Sequence, residues 1–333
     1  MRKVVVTGGA GFIGSHLSER LLAEGNEVHV LDDESTGTLR NLEAQRSHPN
    51  LHVDRVDIAD RARLDPLFEG ADWVFHLAAL ADIVPSIERP LDYAHANVTG
   101  TFAVLDAAVR AGVRRFVYAA SSSCYGIPAH YPTPESEACQ PRYPYALTKY
   151  LGEQTVLHWC QVYGLPAVSL RLFNVYGPRA RTSGTYGAVF GVFLAQRLAG
   201  APLTIVGDGS QTRDFVYVTD VVDAFVRAAK SDVCGAFFNV GTGRPVAVRR
   251  IAELIGGDAV HIPKRPGEPD ATHADITAIQ QRLGWQPSID IAEGVARMLE
   301  RIDDWRHAPV WTPERISSAT QTWFRHLGRG DAA

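Results

Sequence analysis

The chain has 333 residues, enough at ~150 residues per domain for two structural units around a sizeable core. Its 33 Lys+Arg against 37 Asp+Glu leave a formal charge of −4, which excludes a basic field for nucleic acid or an anionic membrane surface; 46% hydrophobic and 21% charged residues exclude disorder. No apolar run reaches the ~20 residues that span a bilayer, and Cys124, Cys139, Cys160 and Cys234 lack the spacing of a disulfide framework or a zinc site, so they read as reduced structural thiols and no metal is expected.

Met1 leads directly into an apolar strand and a glycine loop, the start expected of a cytoplasmic protein. Short apolar runs at Lys3–Thr7, Glu27–Leu31, Leu51–Asp54, Trp73–Leu77, Arg115–Ala119 and Ala167–Phe173 read as strands. Between them, Ile13–Ala23, Leu39–Gln45, Arg61–Phe68, Leu91–Ala111 and Tyr145–Tyr163 have helical period. This βαβ series, with little apolar/polar alternation in its strands, predicts an α/β fold: a Rossmann-type doubly wound parallel sheet covered by helices on both faces. After Asn174 glycines and prolines become denser, and helical segments at Ala188–Leu198, Val221–Ala229, Val248–Ile255, Ile276–Leu283 and Ile291–Trp305 have irregular connections. The expectation is a sheet domain over residues 1–173, to which 214–240 returns, and a smaller mixed α/β substrate-binding lobe from 174–213 and 241–333. The tail from His307 carries no signal.

Val4–Gly14 places Gly8, Gly11 and Gly14 between the first strand and a helix that begins near Phe12 and Ile13. Glycines there let backbone N–H groups and the positive helix end approach a pyrophosphate that a Cβ would block. The next strand ends at Asp32, about 20 residues on, where a carboxylate accepts from the adenosine ribose hydroxyls and repels a 2′-phosphate. The cofactor expected is NAD, not NADP.

Tyr145 and Lys149 stand four apart at the start of a helical segment and so share a face at ~6 Å. A neighbouring ammonium and an oxidised nicotinamide both favour the phenolate, which makes Tyr145 a candidate general base.

With these motifs in this order, and with Asp57-Ile58, His76-Leu77-Ala78-Ala79 and Ser121–Gly126 between them, the chain resembles the extended short-chain dehydrogenase/reductase family of sugar-nucleotide epimerases and dehydratases from Lys3 to about Trp305. The resemblance implies a tightly held NAD and a nucleoside-diphosphate sugar substrate. It puts Asp57 and Ile58 at the adenine, Ser35, Thr36 and Gly37 at the adenosine ribose and nearby phosphate, and Leu77, Ala78, Ala79 and Asn97 along the cofactor. Ser121 falls at the family's catalytic serine, which bonds the reacting sugar oxygen beside Tyr145, and Ser122 and Ser123 fall at the substrate. Family dehydratases carry Asp-Glu at those last two positions and the decarboxylases a Glu; here both are serine. The reactive cysteine of the family's 3,5-epimerases lies two before the Tyr of the Tyr-Gly pair, whereas Cys124 is one before Tyr125 and reads as a packed thiol.

In the second lobe the resemblance puts Asn174, Arg213 and Arg265 on the diphosphate and Glu268 on the nucleotide ribose. Two sugar determinants compete. A basic residue near Arg181 holds a carboxylate in uronic-acid epimerases, while the loop Ser183–Val189 is closer to N-acetylhexosamine epimerases, and Thr272 replaces a bulky Tyr that excludes an N-acetyl group. The function implied is NAD-dependent 4-epimerisation of a UDP-linked hexose, hexosamine or uronic acid through a 4-keto sugar. The alternatives are another 4-keto enzyme, decarboxylase or dehydratase, or a catalytically silent NAD-binding sensor. Family members pair through the two long helices, Leu91–Ala111 and Tyr145–Tyr163, so a homodimer is expected.

Overall fold

The computed structural model describes residues 1–180 and 188–328. The first half supplies strands β1 (Lys3–Thr7), β2 (Glu27–Asp32), β3 (Leu51–Arg55), β4 (Trp73–His76), β5 (Arg115–Ser121) and β6 (Ala167–Leu172). The second half supplies β7 (Asn174–Tyr176), β8 (Leu203–Val206), β9 (Thr212–Arg213), β10 (Phe215–Tyr217), β11 (Ala236–Val240), β12 (Val246–Ala247) and β13 (Ala259–Ile262). β11 runs beside β6, which gives one parallel sheet of seven strands in the order β11-β6-β5-β4-β1-β2-β3. β1 explains the absence of alternation in these strands: Val4 and Val6 enter the core on one face of the sheet and Val5 the core on the other.

The helices are α1 (Phe12–Ala23), α2 (Arg61–Phe68), α3 (Ile83–Glu88), α4 (Pro90–Tyr93), α5 (Gly100–Ala111) and α6 (Pro144–Tyr163), then α7 (Val189–Leu198), α8 (Val218–Lys230), α9 (Val248–Ile255), α10 (Thr277–Leu283), α11 (Ile291–Glu300), α12 (Pro313–Ala319) and α13 (Gln321–Leu327). Outside this sheet the strands pair as β7/β10, β8/β13 and β9/β12, with a separate core around Tyr176, Phe190, Phe193 and Phe215; of the stretch 214–240 expected to return to the sheet, β11 joins it and β10 pairs with β7 instead.

Three helical expectations need correction. Leu39–Gln45 is a 3₁₀ segment capped by Thr38. Leu91–Ala111 is not one α-helix: between α4 and α5, Ala94–Thr99 winds as a π-helix, and this wider turn carries Asn97 inward. Ile291–Trp305 breaks after Glu300 into a 3₁₀ turn over Ile302–Trp305. The tail that carried no signal forms α12 and α13, whose Trp323 is buried.

Candidate active site

The strand order reverses between β1 and β4, and a cavity of about 700 Å³ opens at the carboxyl ends of the strands there. Gly8 stands at φ +70°, where a Cβ would come within 2.7 Å of Ala78 N; a Cβ on Gly14 would lie 2.1 Å from Gly8 O. Both glycines therefore serve backbone packing of the loop against β4 and itself. Asp32 Oδ2 accepts from Ala10 N at 3.0 Å and Oδ1 from Glu34 N at 2.8 Å, so the acid also pins the loop. Burial raises the Asp32 pKa against these two bonds. Gly37 lies so close that its Cβ would be 3.0 Å from both Asp32 oxygens. These features fit a dinucleotide: backbone with no side chain in the way at the pyrophosphate position, and a carboxylate at the end of β2.

His76 is buried beneath the site, and burial brings its pKa down to about 3. Thr101 donates to Asn97 O at 2.7 Å, so it must accept from His76 Nε2 at 3.0 Å; the ring's Nδ1 then accepts from Thr7 at 2.7 Å. This neutral relay fixes the ends of β1 and β4. At Asp57 desolvation pushes upward, but bonds from Ala59 N and His95 prevail and hold its carboxyl below the ordinary value.

On the floor of the cavity, Ser121 Oγ accepts from Ser123 N at 3.2 Å and from Ser123 Oγ at 2.8 Å. With two donors already pointing at it, its own proton is free to point toward Tyr145 or a ligand. Burial raises the Tyr145 pKa; the hydrogen bond with Ser121 opposes this and the charge of Asp82 adds to it. Lys149 lies behind the cavity wall, 4% exposed, its Nζ 4.5 Å from the Tyr118 ring centroid, and desolvation brings its pKa down to about 7 against the pull of Glu153. The expected lowering of Tyr145 by Lys149 is therefore not a property of the protein alone, because burial costs the lysine much of its own charge.

Residues from the second half of the chain complete the lining. Arg213 meets Glu268 Oε1 at 2.7 Å and Arg265 meets Glu268 Oε2 at 3.0 Å. Both Glu268 oxygens are taken by these guanidiniums, which the acid holds side by side. Asp214, fully buried, accepts from Thr242 N and Oγ1 at 2.6 Å each, from Gly243 N at 3.0 Å and from Ala274 N at 2.9 Å. Its own N–H donates to Thr272 Oγ1 at 2.9 Å, and Thr272 donates to Asn174 Oδ1 at 2.8 Å. That chain turns the Asn174 amide so that its N–H₂ remains for a ligand. Thr272 is thus an orienting group as well as a small one.

Of the residues expected from the sequence, Gly8, Gly11, Phe12, Ile13, Gly14, Asp32, Ser35, Thr36, Asp57, Ile58, Leu77, Ala78 and Ala79 line the cofactor end of the cavity. Ser121, Ser122, Ser123, Tyr145, Asn174, Arg213, Arg265, Glu268 and Thr272 line the rest. Gly37 and Lys149 stand behind the wall. Asn97 does too: its side chain pairs with Leu80 N at 2.8 Å, Leu80 O at 2.9 Å and Thr148 Oγ1 at 3.0 Å, so it clamps the loop after β4 to α6. Arg181 and most of the loop Ser183–Val189 lie outside the described residues. Arg179 is bound to Glu19 at 2.7 Å.

Sequence reasoning missed Asp82, Tyr143 and Trp323, which also line the cavity. Asp82 supplies a carboxylate that Ser122 and Ser123 do not. Its place six residues after His76, in the loop leaving β4, was the available signal; Trp323 had none.

Compared with known proteins, residues 4–241 match a family model described as the NAD dependent epimerase/dehydratase family. A UDP-glucose 4-epimerase of Mycolicibacterium smegmatis is 40% identical over 307 residues, 90% of this chain and 97% of that one. Among solved structures, the UDP-glucose 4-epimerase of Thermotoga maritima with UDP-glucose is 34% identical with a TM-score of 0.85, over 90% of this chain and 98% of that one. The UDP-N-acetylglucosamine 4-epimerase of Methanobrevibacter ruminantium with UDP-N-acetylmuramic acid is 33% identical with a TM-score of 0.84, over 90% and 99%.

Proposed function

The chain belongs to the NAD-dependent epimerase/dehydratase family, and from that premise we propose that it is a UDP-sugar 4-epimerase that inverts C4 through a transient 4-keto sugar. One arrangement carries this reading: Ser121 and Tyr145 line the same cavity as Arg213 and Arg265, whose guanidiniums Glu268 holds as a pair. A hexose linked at C1 to a diphosphate held by the arginines presents its far side to the phenol.

Bound NAD supplies a reversible hydride acceptor and, oxidised, a positive charge that favours the phenolate. Tyr145 takes the proton of the 4-hydroxyl and returns it after the sugar has turned over. Ser121, fixed by Ser123, donates to the same oxygen and holds it in line. Lys149, whose pKa burial brings down to about 7, lends its charge to the phenolate as it forms. Arg213, Arg265 and the Asn174 amide anchor the diphosphate, the fixed point about which the keto sugar rotates. Thr272 leaves space beside the sugar and admits an N-acetyl group.

Asp82 favours a second reading, in which a carboxylate at the sugar drives loss of water or carbon dioxide from the same 4-keto intermediate. Incubation with UDP-, GDP-, CDP- and dTDP-sugars followed by NMR separates the two. A changed H4 coupling at unchanged mass supports epimerisation; a product lighter by water or carbon dioxide overturns it.

The same reading includes a homodimer and a cytoplasmic location, where nucleotide sugars and NAD are at hand. Leu91 on α4, Phe102 on α5 and Leu147 and Leu151 on α6 are exposed apolar side chains, the kind of surface that a second copy covers. A monomer by light scattering at micromolar concentration contradicts the dimer. No helix among the described residues is long and apolar enough to cross a membrane.

A further inference from the structure

We propose that the C-terminal helices α12 and α13 close the sugar end of the cavity, and that Trp323 forms a wall of the sugar subsite, retaining the 4-keto sugar while it turns. The inference rests on the epimerase reading for its substrate, though the placement of Trp323 stands on the structure alone.

Residues 313–327 lie beyond the part of the chain that matches the family model, yet Trp323 lines the cavity and is only 4% exposed. Among the described residues nothing else after Thr272 lines it. The indole is fixed by one edge contact and by a guanidinium over its ring. Its Nε1 donates to Pro266 O at 2.7 Å, and the Arg265 guanidinium lies 5.4 Å from the ring centroid. The Tyr143 ring stands 6.4 Å from the indole, and Tyr143 is in turn stacked on Tyr145 with centroids 6.4 Å apart and planes 10° from parallel. Thr322 ties the helix to Glu88 of α3 at 3.1 Å, and Leu327 packs 3.7 Å from the Cβ position of Gly267.

Trp323 therefore touches the arginine at the diphosphate end and the neighbour of the base at the C4 end. A hexose that reaches from one to the other must pass beside this indole, whose flat apolar face suits the C–H face of a sugar ring. Once C4 has lost its hydrogen, the keto sugar is held by no covalent bond and must turn without leaving. Escape releases the ketone and leaves the electron pair from the C4–H bond on the cofactor, so each lost intermediate leaves one chain with reduced NAD and no further turnover. A wall that excludes water and blocks exit prevents this.

The test uses the NAD-loaded full chain as wild type, Trp323→Phe and Trp323→Ala, each checked for folding by thermal melting. With UDP-glucose or UDP-N-acetylglucosamine, Trp323→Ala is expected to raise KM about tenfold. Its progress curves should bend over as reduced nicotinamide accumulates, and borodeuteride should trap a released 4-keto sugar. Trp323→Phe, which keeps a ring, should lie between Trp323→Ala and wild type. Separately, a UDP-sugar should change the tryptophan emission of the wild type, and this change should be lost in Trp323→Phe. Linear turnover by Trp323→Ala at wild-type KM with no reduced cofactor overturns the proposal, as does an emission change that persists in Trp323→Phe. If the wild type epimerises no UDP-sugar, the epimerase reading fails, and the emission titration still decides whether Trp323 faces the ligand.

Discussion

Replacing Lys149 with Met should stabilise the cofactor-free protein while abolishing its activity. Folding takes this ammonium from water to a site 4% exposed, and its pKa falls from the usual 10.5 to about 7. At 1.36 kcal/mol per pH unit that shift is a penalty on the order of 5 kcal/mol for the protonated folded form. The unfolded chain keeps the proton up to about 10.5 and the folded chain gives it up near 7, so between these values the unfolded state binds more protons. The penalty is complete below pH 7 and fades as the pH rises toward 10.5. Methionine has similar length and no charge; it removes the penalty and loses the contact of Nζ with the Tyr118 ring, worth about 2 kcal/mol when desolvated. Glu153 does not lose its partner, because Arg171 holds it at 2.6 Å. The expected net gain is about 3 kcal/mol at pH 7, a rise of several degrees in Tm that closes by pH 10. Melting curves of cofactor-stripped wild type and Lys149→Met from pH 6.5 to 9.5 measure this, and taking the difference cancels the other titrating groups. A lower Tm for the variant at pH 7, or a difference that does not vary with pH, would mean that burial of the Lys149 ammonium carries no such penalty.

Tyr145→Phe removes the base and keeps the ring, so kcat should fall about 10²-fold or more with UDP affinity nearly unchanged; steady-state kinetics beside UDP titration checks both. Thr272→Val keeps the volume and removes the hydroxyl, leaving Asp214 N–H unpaired and Asn174 unoriented, which should weaken UDP binding by about 1–3 kcal/mol without altering sugar preference. Thr272→Tyr adds bulk as well and should cost UDP-N-acetylglucosamine a further tenfold or so in kcat/KM over UDP-glucose. Equal loss for both sugars would mean that the hydroxyl, not the space, is what Thr272 contributes.

The cofactor half of the site was legible because its parts are close in sequence: β1, the glycine loop, α1 and the acid ending β2 span residues 3–32. Tyr145 and Lys149 were legible as one helix turn. What was hidden depends on distant segments meeting. Burial of Lys149, and so its pKa, is set by the elements packed around it. The resemblance puts Glu268 at the nucleotide ribose, but its pairing with Arg213, 55 residues away in sequence, emerges only in the fold. Asn97 sits in a stretch of ordinary helical period, and only the π-turn that carries it inward shows that it clamps Leu80. Cys124 and Cys139 look scattered, yet the fold brings their sulfurs to 3.6 Å. Trp323 lies in a tail without periodicity and gains its place from Pro266 and Tyr143.

In an epimerase of this kind the C4 hydrogen leaves and returns within one closed site while Tyr145 handles only the hydroxyl proton. Incubating the NAD-loaded protein with a UDP-hexose deuterated at C4, in ordinary water, tests it directly. The expected product is an epimer that retains deuterium at C4 with no solvent hydrogen there. Loss of the label to water, or a product that has shed water or carbon dioxide, would contradict it.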